Sequence, residues 1–369
     1  MTCFNPIKAW QNPRADLTIP PQIYYDMKKI RFKEVKGWKE IKIPCNKCLG
    51  CKLDIASDWA TRMYMEAKEW KNCCFVTLTY NNANLPINEL GQPTLIKEHL
   101  SEFMKNLRNN NKGAEAWIHP INKKIEHPIR FFGCGEYGTS KIGTFRPHYH
   151  LALFNYKPKD LKLYKPNKYG DSIYMSKTLQ EIWGKGFITV EDFNYTTANY
   201  IARYVQKKAG IKPNKLILTG EIEEKEKIDE RNGQPFIHII KKREKQKFIK
   251  QPEFILMSRS AGLGLVNWKK HKNEIIQSCG IWVKEQDTLK LKHIPRYFKK
   301  LMNKEDWQKF TFWQHEQEKK GIQRQEEINK AVSNSDITEI NLDIHNKKQE
   351  KILKEKLRFF PRNSLIWCA

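Results

Sequence analysis

No stretch of this 369-residue chain approaches the length and apolarity of a membrane-spanning helix, and its opening, MTCFNPIKAWQNPRADLTIP, lacks the apolar run of an export signal. These absences argue against a membrane-embedded or secreted protein and make the cytoplasm the expected compartment. A Walker A sequence is also missing, so a fused helicase motor is not expected, and no internal repeat suggests a solenoid. Negative charge is scarce: 41 Asp and Glu stand against 67 Lys and Arg, a formal net charge of +26. Such an excess points to a polyanionic partner. Nucleic acid is favoured over an acidic membrane surface, because phosphate neutralisation releases condensed counterions.

What is present suffices for a folded protein. Hydrophobic residues make up 40% and aromatics 12% of the chain, enough for a packed interior, and the length allows one catalytic domain with additions or two modest domains. Nine cysteines, an odd number without an export signal, favour reduced thiols or a metal site over a disulfide framework. Cys45, Cys48 and Cys51 form a C-x2-C-x2-C run, three soft ligands for a structural Zn²⁺. Cys3, Cys73, Cys74 or Cys134 could supply a fourth; the alternative is three reduced thiols, some of them buried.

The apolar spacing from residue 52 predicts a helix, followed by a β-branched strand at 74–80, a helix at about 95–109, strands at 129–136 and 148–154, a helix near 176–183, a strand at 187–191 and a helix at 196–208. The core order β-α-β-β-α-β predicts an α+β fold. It is the ferredoxin-like, RRM-like split βαβ arrangement, an antiparallel sheet with its helices on one face and the other face free for a ligand. Composition divides the chain into an N-terminal segment with the cysteine run (1–72), this core (73–210), a charged insertion (211–252), a returning part of the core region (253–300) and a charged, largely helical tail (301–369).

Residues i and i+2 of a strand share a face, so His148 and His150 present two imidazoles together while Tyr149, Leu151 and Leu153 point to the opposite side. An isolated H-x-H carries little weight. With Glu136 on the preceding strand near the loop mouth, it becomes a candidate divalent-metal site with open positions, suited to Mn²⁺ or Mg²⁺ and also to non-haem Fe²⁺. On the helix at 196–208, Ala198, Ile201, Ala202 and Val205 form the core stripe. Tyr200 and Tyr204 lie one turn apart on another side with Lys207 in the same sector, which predicts two phenols facing a cleft beside a cation. A phenol of pKa near 10 needs such help to attack phosphorus at neutral pH.

These segments resemble the HUH endonuclease superfamily, and most closely the replication initiators of small single-stranded DNA bacteriophages, the microviruses of the gokushovirus branch. Carrying the resemblance are FVTLTY at 75–80, GCGEYG at 133–138, RPHYH at 146–150 and YIARYVQKK at 200–208. The stretches PCNKCLGCKLDIASDWATR at 44–62 and EFILMSRSAGLG at 253–264 add to it, so it spans about residues 44–265. It implies that Glu136, His148 and His150 bind Mg²⁺ or Mn²⁺, that Tyr200 and Tyr204 are nucleophiles, and that Lys207 assists them. It further implies rolling-circle replication from a phage origin in the cytoplasm of a bacterial host whose DNA polymerase and helicase are used. Tyr149, between the two histidines, is more polar than the aliphatic residue common in that superfamily. Two other classes compete: a non-catalytic single-stranded nucleic-acid binder accounts for the charge but not the Glu-His-His and tyrosine set, and a non-haem iron oxygenase accounts for the ligands but not the tyrosines or the charge.

Overall fold

A computed structural model of the chain describes residues 3–11, 23–25, 38–89, 91–111, 117–118, 120–121, 123–138, 146–167, 170–208, 222–228, 235–241, 251–285 and 288–332. The chain begins with a small antiparallel sheet of β1 (Ile7–Gln11), β2 (Ile23–Tyr24) and β3 (Lys39–Ile43). Helix α1 (Leu49–Ala67) leads into β4 (Cys73–Thr79), α2 (Lys97–Asn110), the short pair β5 (Trp117–Ile118) and β6 (Ile125–Glu126), then β7 (Arg130–Tyr137) and β8 (Pro147–Phe154). A hairpin of β9 (Leu161–Pro166) and β10 (Ser172–Ser176) precedes α3 (Lys177–Trp183), β11 (Ile188–Asp192) and α4 (Tyr195–Lys208). A second hairpin, β12 (Ile222–Ile228) with β13 (Pro235–Lys241), falls inside the charged segment.

The main sheet is antiparallel with the order β14-β7-β8-β4-β11-β10-β9, where β14 is Phe254–Met257. Its middle four strands, β7-β8-β4-β11, have the order a split βαβ pair requires: β8 lies between β4 and β7, and β4 between β8 and β11. The α+β class is therefore as expected, but the sheet is wider. The β9–β10 hairpin and β14 extend its two edges. β9, LKLYKP, is short, lysine-rich and exposed, and carries too few apolar residues to read as a strand in sequence.

The expectation of helices on one face alone does not hold. On one face, Val76, Leu78, Tyr149, Leu151 and Leu153 meet Leu100, Phe103, Met104 and Leu107 of α2 and Leu179 and Trp183 of α3. Phe75, Phe132, Ala152 and Phe154 point the other way and meet Ala56, Ala60 and Met63 of α1 and Ala198, Ile201 and Ala202 of α4. Small residues at helical spacing let α1 and α4 approach closely. The core stripe of α4 is thus as its periodicity predicts, apart from Val205, whose side chain lies outside the described residues.

Two contacts tie this second layer to the sheet. Glu66 of α1 and Arg130 of β7 form a buried ion pair of 2.7 Å. Arg130 also donates to the carbonyls of Ser260 and Ala261, and Glu66 accepts from the Gly264 amide, so the charges that burial strips of water find further partners. Gly135 leaves room on the opposite face, where a Cβ would come within 2.9 Å of the Phe254 ring and 3.0 Å of Leu95. Beyond β14, α5 (Leu265–Gln277), the hairpin β15 (Gly280–Glu285) with β16 (Thr288–His293), α6 (Arg296–Lys299) and α7 (Lys304–Val332) follow. Trp268, Ile276, Val283, Phe298 and Phe310 from this region join the α1–α4 core. The helical reading of the tail holds to Val332; residues 333–369 lie outside the described ones. No helix among the described residues is long and apolar enough to cross a membrane.

Candidate active site

The register of two neighbouring strands assembles the site. Glu136 on β7 lies directly across from His148 on β8, and Thr77 on β4 directly across from His150. Glu136 Oε2 is 3.4 Å from His148 Nε2 and 3.5 Å from His150 Nε2. Ligands bonded at about 2.1 Å to one ion sit about 3 to 3.5 Å apart, so this spacing suits a shared divalent cation. One carboxylate and two imidazoles are also a donor set that Mn²⁺ and Mg²⁺-type sites accept.

Neighbouring groups orient both rings. His148 Nδ1 lies 3.1 Å from the Arg146 carbonyl, which can only accept, so in the neutral ring Nδ1 carries the proton and Nε2 offers its lone pair beside Glu136. His150 Nδ1 is 3.0 Å from Thr77 Oγ1, and the Phe75 ring stacks on its imidazole with centroids 5.6 Å apart. Burial by itself would raise the Glu136 carboxyl, but the two imidazoles, which donate to it when protonated, outweigh burial and hold it well below the usual carboxylate range. The carboxylate is therefore anionic at neutral pH. Arg146 braces the loop mouth by donating to Asn82 Oδ1 and the Tyr80 carbonyl.

Helix α4 lies over this cluster. Its first residue, Tyr195, is buried, with its hydroxyl 3.2 Å from Ser57 Oγ and 3.4 Å from Thr61 Oγ1 of α1. One turn on, Tyr200 Oη reaches within 3.3 Å of His150 Nε2, and its ring packs edge-on against His150 and Phe75. Tyr200 is consequently half-buried on the cluster, where the helical pattern predicts a phenol facing an open cleft. Tyr204 and Lys207 continue the helix, but their side chains lie outside the described residues. Tyr149 points away, as strand parity requires: its hydroxyl is 2.6 Å from that of Tyr80 and 2.8 Å from the Ile96 carbonyl.

The cysteine run forms a separate cluster. Cys3 is the residue that joins Cys45, Cys48 and Cys51, their sulfurs all within 4.8 Å of one another. The other candidates sit elsewhere: Cys73 and Cys74 on β4, Cys134 on β7. Backbone amides of Lys47 and Cys48 aimed at its sulfur pull the Cys45 thiol down to about 6. Sequence reasoning does not single out Thr77, Phe75 or the Arg146 carbonyl as parts of the site. The alternation in FVTLTY, which sets Phe75, Thr77 and Thr79 on one face, is the signal that could have found the first two.

A central antiparallel sheet bearing a Glu-His-His set beneath a helical tyrosine defines an α+β protein with a candidate metal-and-tyrosine centre. The family model described as that of replication-associated protein ORF2 matches residues 73–209, the segment that holds this centre. The chain is 30% identical to Replication-associated protein ORF2 of Spiroplasma virus 4, covering 75% of this chain and 72% of that one. It is 34% identical to Replication-associated protein VP4 of Bdellovibrio phage phiMH2K over 56% of this chain and 58% of that one. Against Replication-associated protein ORF4 of Chlamydia phage 1 the identity is 31%, over 47% and 42% of the two chains. The chain belongs to this family of phage replication-associated proteins. No solved structure matches it.

Proposed function

We propose that the chain is a site-specific, metal-dependent endonuclease that nicks single-stranded DNA at a phage replication origin and initiates rolling-circle replication through a 5′-phosphotyrosine intermediate. The observation that carries this reading is the approach of Tyr200 Oη to 3.3 Å from His150 Nε2, the same nitrogen that faces Glu136. An oxygen nucleophile beside a Glu-His-His set suits phosphoryl transfer better than oxygenase chemistry, where a phenol in that position has no role.

Glu136, His148 and His150 would hold the cation, which when bound polarises the scissile phosphate and stabilises charge on its oxygens. Thr77 and the Arg146 carbonyl keep the two rings in register. Tyr200 Oη attacks phosphorus, the new Oη–P bond forms as the P–O3′ bond breaks, the phenolic proton leaves, and the 3′-oxygen takes up a proton. The product is a 5′-phosphotyrosine and a free 3′-OH able to prime a host polymerase. Because the phosphoester is exchanged and not hydrolysed, the step is reversible, and Tyr204, four residues along the helix, would serve as the second nucleophile for strand joining. Lys207 would favour the phenolate or the charge on phosphate. Host polymerase and helicase would complete the cycle in the bacterial cytoplasm.

A non-catalytic binding role has one observation of its own. Tyr164 and Phe187, 52% and 58% exposed, stand near Lys162 and Lys177 at the β9–β10 edge, a surface suited to stacking bases and neutralising phosphates. The two readings separate on a denaturing gel. Labelled origin DNA incubated with the protein and Mn²⁺ or Mg²⁺ is expected to give a covalent adduct that chelator prevents and the Tyr200→Phe/Tyr204→Phe variant lacks. Tight DNA binding with neither cleavage nor adduct would leave only the binder.

A further inference from the structure

We propose that Cys3, Cys45, Cys48 and Cys51 form a closed four-thiolate Zn²⁺ site that pins the N-terminal segment to the first turn of α1. The geometry is that of a tetrahedral sulfur cage. Four sulfurs at about 2.3 Å from one zinc ion are separated by about 3.8 Å along each edge of the tetrahedron. Cys45 and Cys51 Sγ are 3.9 Å apart and Cys48 and Cys3 Sγ 3.8 Å. A disulfide would require about 2.05 Å.

The backbone around the cluster is arranged for sulfur that carries negative charge. Asn46 adopts a left-handed conformation (φ 57°), which Asn tolerates, and the turn it makes aims the amides of Lys47 and Cys48 at Cys45 Sγ, at 3.5 and 3.3 Å. The amides of Phe4 and Cys51 point at Cys48 Sγ, at 3.4 and 3.5 Å, and that of Cys45 at Cys3 Sγ, at 3.2 Å. Cys48 is moreover the N-cap of α1, a position that Ser, Thr, Asp or Asn fills better, so the sulfur there answers another requirement. Binding converts four thiols to thiolates with release of up to four protons, each sulfur supplying a lone pair to the ion, with no redox partner involved.

The cage stands at a junction. Arg296 of α6 donates to Asn46 Oδ1 inside the turn, and its backbone amide donates to Asp58 of α1. From there α1 runs under α4, its Ser57 and Thr61 against the Tyr195 hydroxyl. Zinc thereby fixes the N-terminal end of the helix on which the tyrosine helix rests.

Elemental analysis of the full chain purified without chelator tests this apart from DNA cleavage, and apart from the Glu-His-His cluster. The Glu136→Ala/His148→Ala/His150→Ala variant is expected to retain one zinc per chain, and Cys48→Ser to lose it. In wild type, a mercurial titration should release that zinc as four thiols react, a readout needing no variant to fold. Cobalt exchanged into the site should show thiolate-to-metal charge transfer with tetrahedral d–d bands, and Cys3→Ser should reduce the charge-transfer intensity by about a quarter, the share of one of four sulfurs. The proposal is overturned if the triple variant holds no zinc, if Cys3→Ser leaves the cobalt spectrum unchanged, or if the non-reduced chain weighs four hydrogens less than the reduced one, which would mean two disulfides.

Discussion

The two faces of β4, β7 and β8 are built from alternate residues of the same strands, yet they serve different ends. One face is sealed: Val76, Leu78, Leu151 and Leu153 pack on α2 and α3, and its polar atoms close on one another through Tyr80, Tyr149 and the Ile96 backbone. The other carries Thr77, Glu136, His148 and His150 among apolar neighbours, with α4 lowering a phenol onto them. Burying polar groups costs free energy unless they are satisfied, so a face that gathers an anionic carboxylate and two imidazoles is organised for a ligand, not for stability alone. Within one sheet, folding energy is concentrated on the first face and chemical potential on the second.

Substitutions on either face test that division. The largest effect is expected from Tyr200→Phe with Tyr204→Phe, which should abolish the covalent DNA adduct, a fall of about 10³-fold or more in strand transfer, with an unchanged melting temperature. A persisting adduct would move the nucleophile elsewhere. On the sealed face, Phe103→Ala should cost about 3–5 kcal/mol in chemical denaturation while leaving Mn²⁺ affinity of the folded fraction intact. Loss of metal binding there would mean the faces are coupled. Glu136→Gln keeps the shape but removes the anion, and calorimetry should show Mn²⁺ affinity lowered by about 100-fold, at least the upper range for an outer-shell partner.

Smaller effects separate orientation from packing. Thr77→Val deletes the hydroxyl on His150 Nδ1 with little change in volume and should weaken Mn²⁺ binding by about 10-fold. Its counterpart on the sealed face, Tyr149→Phe, should cost about 1 kcal/mol of stability and no metal affinity. If the two variants exchanged signatures, the division between the faces would be wrong.

Much of this site is legible in the sequence because strands and helices have fixed periods. The parity of His148, Tyr149 and His150, the stripe of Ala198, Ile201 and Ala202, and the proximity of Glu136 to His148 all follow from local geometry. Contact at a distance is not legible in this way. Nothing in GCKLDIASDWATRM says that α1 lies on the histidine face, since an apolar stripe states that something is covered but not what. For the same reason the helical pattern sends Tyr200 to a cleft, whereas Phe75 and His150 receive it. The strands β9 and β14 escape detection because edge strands bury too little to leave an alternating signature.

The α+β order, the basic character and the sets of side chains that share a strand or helix face are written into the amino-acid sequence alone, because each is set by composition or by a repeat of two or 3.6 residues. Folding in three dimensions was needed to establish that both faces of the sheet are covered, that Thr77 orients His150 and that Cys3 joins three cysteines more than forty positions away. Those outcomes depend on which surfaces exclude water against each other, a choice made among the assembled elements and not within any one of them.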